Sequence, residues 1–297
     1  MDVVFFGSGA FGLPTLERLA REHSVTAVIT QPDRKAGRGA RLTPTPIGAW
    51  ASEHLPEVPL LKPERVGEPA MIERVRAIPA DAWVVIAYGQ KLPPALLADR
   101  FAINLHASLL PRWRGAAPIN WAILAGDGAT GNSVITIAKR MDAGLVLGAV
   151  ETQIDPLETA GELHDRLAQM GPGVIEHVLR AHEAGRTTET EQDESLVTRA
   201  RKLSKADAVV DLSRPAPECR ARIHGLNRWP GGGVEFRDES LKLVRAKDEP
   251  SPAQQSETPG ASLDAEAGLI ACAPGTALRL LEVQPPGKRV MPWGDFA

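Results

Sequence analysis

The first thirty residues restrict the fold more than any other stretch of the chain. Val3 to Phe6 is an apolar run, Gly7 to Gly12 (GSGAFG) a tight glycine turn, Leu13 to Ala20 a helical pattern, and Val25 to Ile29 a second apolar run. Strand, turn, helix and strand in that order open a parallel α/β unit. Trp83 to Ala87 and Phe101 to Asn104 continue in the same character, with turn or helix signals between them at Tyr88-Gly89 and Leu92 to Leu97. Ligands of open parallel sheets lie beyond the carboxyl ends of the strands. Tyr88-Gly89 and Asn104-Leu105-His106 both fall at such ends.

Further along, SVITIA (133–138) and LVLGAV (145–150) read as two strands joined by KRMDAG, which puts Asp142 in the connection. A helix is expected around Pro118 to Leu124. Thr159-x-x-Glu162 is a capping box that opens another helix, with Leu163, Leu167 and Met170 on its core side. Gly171-Pro172-Gly173 is expected to break that helix before a second one runs through Leu179. From Glu183 to Thr198 the sequence turns polar and acidic, which suggests an exposed connector between domains. Short strand-like runs follow: VVDL, GGVEF, LKLVRA, GLIACA and ALRLLEV. Such spacing favours a small barrel. Residues 249 to 262 have no periodicity and read as a mobile loop. There are no internal repeats. The expected organisation is a domain over 1–188, a linker over 189–205 and a small domain over 206–297.

Composition excludes several classes. A chain of 297 residues, 43% hydrophobic and 24% charged, is ordinary for a soluble globular protein. Its net charge of −3 argues against a generally basic nucleic-acid coat, although the residues from 199 onward are net positive. Two cysteines, Cys219 and Cys272, cannot build a disulfide framework, and no C-x-x-C or histidine cluster suggests a metal, so a reduced cytoplasmic setting is the default. Met1-Asp2 lacks a basic n-region and glycines interrupt the apolar stretch, so the N-terminus is not expected to act as a signal peptide, and no apolar run is long enough to span a bilayer.

Asn104 and His106 lie two positions apart, so on a strand their side chains share a face. Both can donate a hydrogen bond, and the imidazole can carry a proton. Taken alone, the pair reads more readily as a core histidine beside an ordinary surface turn. Gly7, Gly9 and Gly12 match G-x-G-x-x-G with Asp33 about twenty residues on, the fingerprint of a dinucleotide site, but glycines there serve any close strand-to-helix turn equally well.

NLHASLLPRWRGAAPI, within residues 102 to 121, resembles the signature of the 10-formyltetrahydrofolate-dependent formyltransferases. Its RWRGAAPI ending resembles the branch acting on methionyl-tRNA. The resemblance extends through QPDRKAGRGARLTPTPI (31–47), VVIAYG (84–89), MDAGLVLG (141–148), QDESLVTRARKLSKADAVVDL (192–212) and LLEVQPPGKRVM (280–291). It implies a Rossmann-like, mostly parallel α/β domain followed by a small OB-like β-barrel, with 10-formyltetrahydrofolate as cosubstrate and no metal. The family usually has a Gly-Thr-Pro type turn where this chain has GSGAFG, so the glycine fingerprint is read here as a packing turn. Gln90-Lys91 likewise stands where the family places an apolar pair.

The family's catalytic Asn, His and Asp match Asn104, His106 and Asp142. Formyl transfer to an amine needs stabilisation of a tetrahedral oxyanion and proton movement to the leaving nitrogen, and this trio supplies both. Ser108 lacks a Gly-x-Ser-x-Gly elbow and is not read as a nucleophile. The folate site is expected at Tyr88 and Gly89 and along Ser108, Leu109, Leu110 and Pro111. RKAGRGAR (34–41) carries four positive charges in eight residues. From composition it is a solvated loop or a phosphate-tracking one. The resemblance makes it the acceptor-stem loop, with Arg38 reading the stem end beside Arg34, Lys35 and Arg41. Lys202 and Lys205, with Arg199, Arg201, Lys288 and Arg289, could form a phosphate track. The expected partner is therefore methionyl initiator tRNA, the expected state a cytoplasmic monomer without membrane association. A formyltransferase acting on an amino-sugar nucleotide or glycinamide ribonucleotide is the nearest alternative, and an NAD(P) oxidoreductase a more distant one.

Overall fold

Continuous apolar runs become strands buried on both faces, the pattern of a covered parallel sheet. The computed structural model describes residues 1–36, 41–236, 239–251 and 258–297. In chain order the first half contains β1 (Asp2–Gly7), α1 (Leu13–Glu22), β2 (Ser24–Ile29), β3 (Arg34–Ala36), β4 (Arg41–Thr43), α2 (Pro46–His54), β5 (Leu60–Leu61), α3 (Pro69–Arg76), β6 (Ala82–Ile86), α4 (Pro94–Leu97) and β7 (Ala102–His106). There follow β8 (Arg114–Gly115), α5 (Pro118–Leu124), β9 (Ala129–Thr136), β10 (Val146–Gln153), α6 (Ala160–Glu183), β11 (Arg199–Ala200), α7 (Ala216–Gly225), β12 (Gly232–Phe236), β13 (Glu239–Pro250), β14 (Ser262–Asp264), β15 (Leu269–Ala271), β16 (Thr276–Gln284), β17 (Met291–Pro292) and α8 (Trp293–Phe296).

The chain divides into two compact units. One comprises residues 1–114, 131–151 and 165–198, the other residues 115–130, 152–164 and 199–297. The first unit holds the seven-stranded sheet in the order β10-β9-β7-β6-β1-β2-β5. Strands β1, β2, β5, β6 and β7 are parallel, and β9 runs antiparallel to β7. Val4 and Phe6 of β1 pack with Ala27, Ile29, Trp83 and Val85 in one core cluster. On α1, Leu16 and Leu19 are buried, each worth roughly 1.5–3 kcal/mol. A Cβ on Gly7 would lie 2.5 Å from the Phe5 ring, so the glycine turn serves close packing. Asp33 pairs with Lys62 at 2.6 Å.

The capping box forms as expected: the Thr159 amide donates to Glu162 Oε2 at 2.9 Å, and the Glu162 amide to Thr159 Oγ1 at 3.4 Å. The expected break at Gly171-Pro172-Gly173 does not occur. α6 runs unbroken through Pro172 to Glu183. A proline inside a helix costs about 3 kcal/mol, but Leu167, Ala168, Val174, Ile175, Val178 and Leu179 on either side of it are all buried, and their combined burial outweighs that cost.

The second unit contains the antiparallel strands expected of a small barrel, in the order β12-β13-β16-β15-β14, with β17 on β16. Among the described residues no ladder joins β12 to β14. VVDL contributes a single bridge, Val209 to Gly233, instead of a strand. α7 is an element the sequence reading did not contain. Its Ala216, Cys219 and Ile223, spaced three and four apart, join Leu241, Leu243 and Leu280 in the core of the unit. Of the expected loop 249–262, residues 252–257 lie outside the described residues, Pro250 ends β13 and Ser262 opens β14.

Candidate active site

β7 runs on to His106, so Asn104 and His106 face the same way from the last three residues of a strand, at its carboxyl end. Asn104 is half-buried and His106 is buried. Two contacts fix the imidazole. Its Nε2 lies 2.9 Å from the Trp113 carbonyl oxygen, which can only accept, so Nε2 carries the hydrogen. Nδ1 is then the nitrogen turned towards Asp142, whose Oδ2 lies 3.7 Å away.

Trp113 is presented by the RWRG segment in a left-handed conformation, φ +61°. Its amide donates to Thr198 Oγ1 at 2.8 Å, and the Arg114 amide donates to the Thr198 carbonyl at 3.0 Å. The main chain that holds His106 is thereby itself held.

Asp142 comes from the β9–β10 connection, with φ +54°, a value Asp adopts more readily than most residues. The Leu145 amide donates to Thr136 Oγ1 at 2.9 Å, and the Ala143 amide to the Arg140 carbonyl at 3.3 Å. Gly144 packs so closely on Thr136 that a Cβ would overlap the Thr136 carbonyl. Glycine at 144 therefore lets that end of the loop seat against the sheet.

The expected folate residues fall into two groups. The Tyr88 ring is buried in the core, edge-on to Phe6 at 5.6 Å, and burial pushes its hydroxyl well above the usual phenol range. What Tyr88 offers is main chain: its carbonyl accepts from Ser8 Oγ at 2.9 Å and from Gln31 Nε2 at 3.2 Å, and Gly89 follows, exposed, at φ +86°. Ends of β1, β2 and β6 are thus tied at one point. Gln90 is bonded on both sides of its amide, to the Val66 amide at 2.8 Å and the Pro63 carbonyl at 3.0 Å. Ser108 is buried and structural, since its Oγ donates to the Arg112 carbonyl at 2.7 Å and its carbonyl accepts from Ser133 Oγ at 2.8 Å. Leu109, Leu110 and Pro111 are half-exposed.

A cavity of about 390 Å³ opens beside this point, lined among others by Ser8, Gly9, Gln31, Pro32, Arg34 and Thr45. Strands β3 and β4 form a two-stranded antiparallel ribbon at its rim, pairing Arg34 with Thr43 and Ala36 with Arg41. Arg34, Lys35 and Arg41 are exposed, and Arg34 also pairs with Glu64 at 2.8 Å. Arg38 lies outside the described residues. Lys202 and Lys205, in the second unit, are both exposed. Arg201 nearby pairs with Asp207 and lies over the Trp121 ring at 5.2 Å. Among the described residues no cluster of His, Cys, Asp and Glu could hold a metal, and no helix is long and apolar enough to cross a membrane.

A connector residue missing from the sequence reading also reaches the site. Gln192 Nε2 donates to the carbonyls of Asp142 and Gly144 at 2.9 and 2.7 Å. Nothing in a polar, acidic run marks one glutamine as different from its neighbours.

The sheet is thus mostly parallel, with Asn104 and His106 at the end of β7 and Asp142 reaching His106 from the β9–β10 loop. The family model described as formyl transferase matches residues 1–179, and that of the formyl transferase C-terminal domain matches residues 202–297. The chain belongs to the formyl transferase family. It is 43% identical over its full length to the methionyl-tRNA formyltransferase of Methylococcus capsulatus, covering 96% of that protein, and 43% identical to that of Stutzerimonas stutzeri, covering 94%. The fold is also that of a solved N-formyltransferase from Helicobacter canadensis, with TM-score 0.72 at 12% identity over 95% of this chain and 98% of the other.

Proposed function

We infer that Asn104, His106 and Asp142 carry formyl transfer in this protein. The reaction moves the formyl group of 10-formyltetrahydrofolate to the α-amino group of methionyl initiator tRNA. The observation that carries the assignment of roles is the placement of His106 Nδ1 3.7 Å from Asp142 Oδ2, on the strand face shared with Asn104.

The neutral α-amine attacks the formyl carbon, forming a C–N bond and a tetrahedral oxyanion. Asn104 donates to that oxygen, a contribution whose loss typically costs about 10²- to 10³-fold in rate. The amine's proton passes, through a water ordered by Asp142, to the bare Nδ1 of His106, which becomes the imidazolium. His106, its Nε2 engaged by Trp113, delivers a proton from Nδ1 to the leaving folate nitrogen as the old C–N bond breaks. The carboxylate of Asp142 supplies the counter-charge for the imidazolium. No covalent formyl-enzyme is required.

The folate lies along the main chain at Tyr88 and Gly89 and against Ser108, Leu109, Leu110 and Pro111. Tyr88 and Ser108 serve there through backbone and fold, and the exposed Gly89 and half-exposed Leu109 to Pro111 offer the contact surface. Arg34, Lys35, Arg38 and Arg41 take the acceptor stem, while Lys202 and Lys205 meet phosphates further along it. In this division of labour residues 1–188 do the chemistry, the connector 189–205 also braces the site through Gln192 and Thr198, and 206–297 add tRNA affinity through an OB-like fold. The protein works as a monomer in the cytoplasm. Incubation with charged initiator tRNA and labelled 10-formyltetrahydrofolate should yield formyl-methionine at the tRNA 3′ end. Formylation of an amino-sugar nucleotide or of glycinamide ribonucleotide instead would move the acceptor assignment to the small-amine branch.

A further inference from the structure

One side of the Asp142 loop rests on the sheet. Leu145 and Gly144 rest on Thr136. On the other side the carbonyls of Asp142 and Gly144 converge on a single donor, Nε2 of Gln192, at 2.9 and 2.7 Å. The orientation of that amide is not arbitrary. Its Oε1 accepts from Arg114 Nε at 2.9 Å, and a guanidinium can only donate, so the NH₂ must face the two carbonyls.

Arg114 is itself a fixed point. Its side chain is 1% exposed, and its Nη2 donates to Glu194 Oε1 at 2.9 Å. The other Glu194 oxygen accepts from Arg140 Nη2 at 2.6 Å, and Arg140 stands two residues before Asp142. Arg114 and Arg140 together hold the Glu194 carboxyl below the usual carboxylate range, which keeps it ionised at neutral pH. Residues 192 and 194 thus grip the loop at Arg140, at Asp142 and at Gly144. The same segment ends at Thr198, which holds Trp113 and through it His106.

Resting on the assignment of Asp142 as the proton-handling carboxylate, we propose that Gln192, oriented by the buried Arg114, is the positioning residue that sets Asp142 against His106. Removing the amide frees two loop carbonyls and lets the carboxylate drift. Misplacement of a catalytic group by about 1 Å can cost about 10²-fold in rate.

The test uses the full-length protein, charged initiator tRNA and 10-formyltetrahydrofolate. Gln192→Ala should lower kcat about 10- to 100-fold while KM for both substrates stays within about threefold. In the Asp142→Ala background the same substitution should add almost nothing, because the group it positions is gone. Gln192→Glu keeps the acceptor for Arg114 and the side-chain volume but sets an oxygen against two carbonyls, so it should lose kcat to the same extent. It decides the matter if the alanine variant does not fold. Turnover within threefold of wild type in both variants, a loss confined to KM, or a full repeat of the loss in the Asp142→Ala background would overturn the proposal. An Asp142→Ala protein with wild-type turnover would instead refute the role given to Asp142.

Discussion

The Nε2–H of His106 donates to the carbonyl oxygen of Trp113 at 2.9 Å, so a main-chain atom of the RWRG loop fixes which imidazole nitrogen faces Asp142. The contact explains why the histidine and the loop belong together in sequence. A strand can aim the ring, but a carbonyl acceptor is needed to hold its tautomer.

Asn104→Ala and Asp142→Ala should each depress turnover by about 10²- to 10³-fold while the folate still binds, because both groups act chiefly in the transition state. Steady-state formylation together with equilibrium folate titration checks this. A loss expressed as weaker folate binding would contradict it.

Gly144→Ala adds a methyl group where the Thr136 carbonyl already lies. The loop must lift from β9, taking Asp142 with it, and kcat should fall on the order of 10²-fold. The sheet core is untouched, so the urea midpoint should change far less than the rate does.

Arg38→Ala should impair use of tRNA and leave folate kinetics intact. The slope of log affinity against log salt for tRNA should drop by about one charge. Filter binding across a salt series measures it. Reduced folate affinity with unchanged tRNA kinetics would show that the basic loop does something else.

His224, in the second unit, is 1% exposed, and its Nε2 accepts from the Ala246 amide at 3.1 Å. Burial, reinforced by Arg220 and Arg245, pushes its pKa down to about 4. The unfolded chain, with an ordinary value of about 6.5, takes up the proton first. Stability from the neutral ring is therefore complete above about pH 6.5 and is lost as pH falls towards 4, by up to about 3 kcal/mol. Glu162, held down to about 2 chiefly by Arg245 and Thr159 against its own desolvation, loses its contribution only below its ordinary carboxylate range. Urea unfolding at pH 7.5 and 5 should thus show a drop that His224→Gln, which retains an acceptor for Ala246, largely removes.

Much of this arrangement was readable from residue order. Apolar runs marked β1, β2, β6 and β7, spacing put Asn104 and His106 on one face, and Asp142 fell in the connection between two strands, as expected. Local signals failed where tertiary burial decided. Pro172 carries every mark of a helix break, yet the apolar residues on both sides of it keep α6 whole. Ala216, Cys219 and Ile223 have helical spacing, but charged neighbours thin the pattern of α7, and the cysteine drew attention only as a thiol. Tyr88 stands at a strand end as a ligand residue would, yet its ring turns inward and only its main chain faces out. Gln192 had no local signature at all, because its role exists only once Arg114 and the Asp142 loop are folded around it.

The second unit draws residues 115–130 and 152–164 from between segments of the first. On α5, Ile119, Ala122 and Ile123 are buried, and Asn120 of the same helix donates to the Gly225 carbonyl at the end of α7, about a hundred residues later in the chain. During synthesis Asn120 and Leu124 of that helix must wait for their partner until α7 has left the ribosome. A nascent chain stalled at Thr198 would hold Asn104, His106 and Asp142, lack the α7 partner of α5, and be an aggregation-prone folding intermediate.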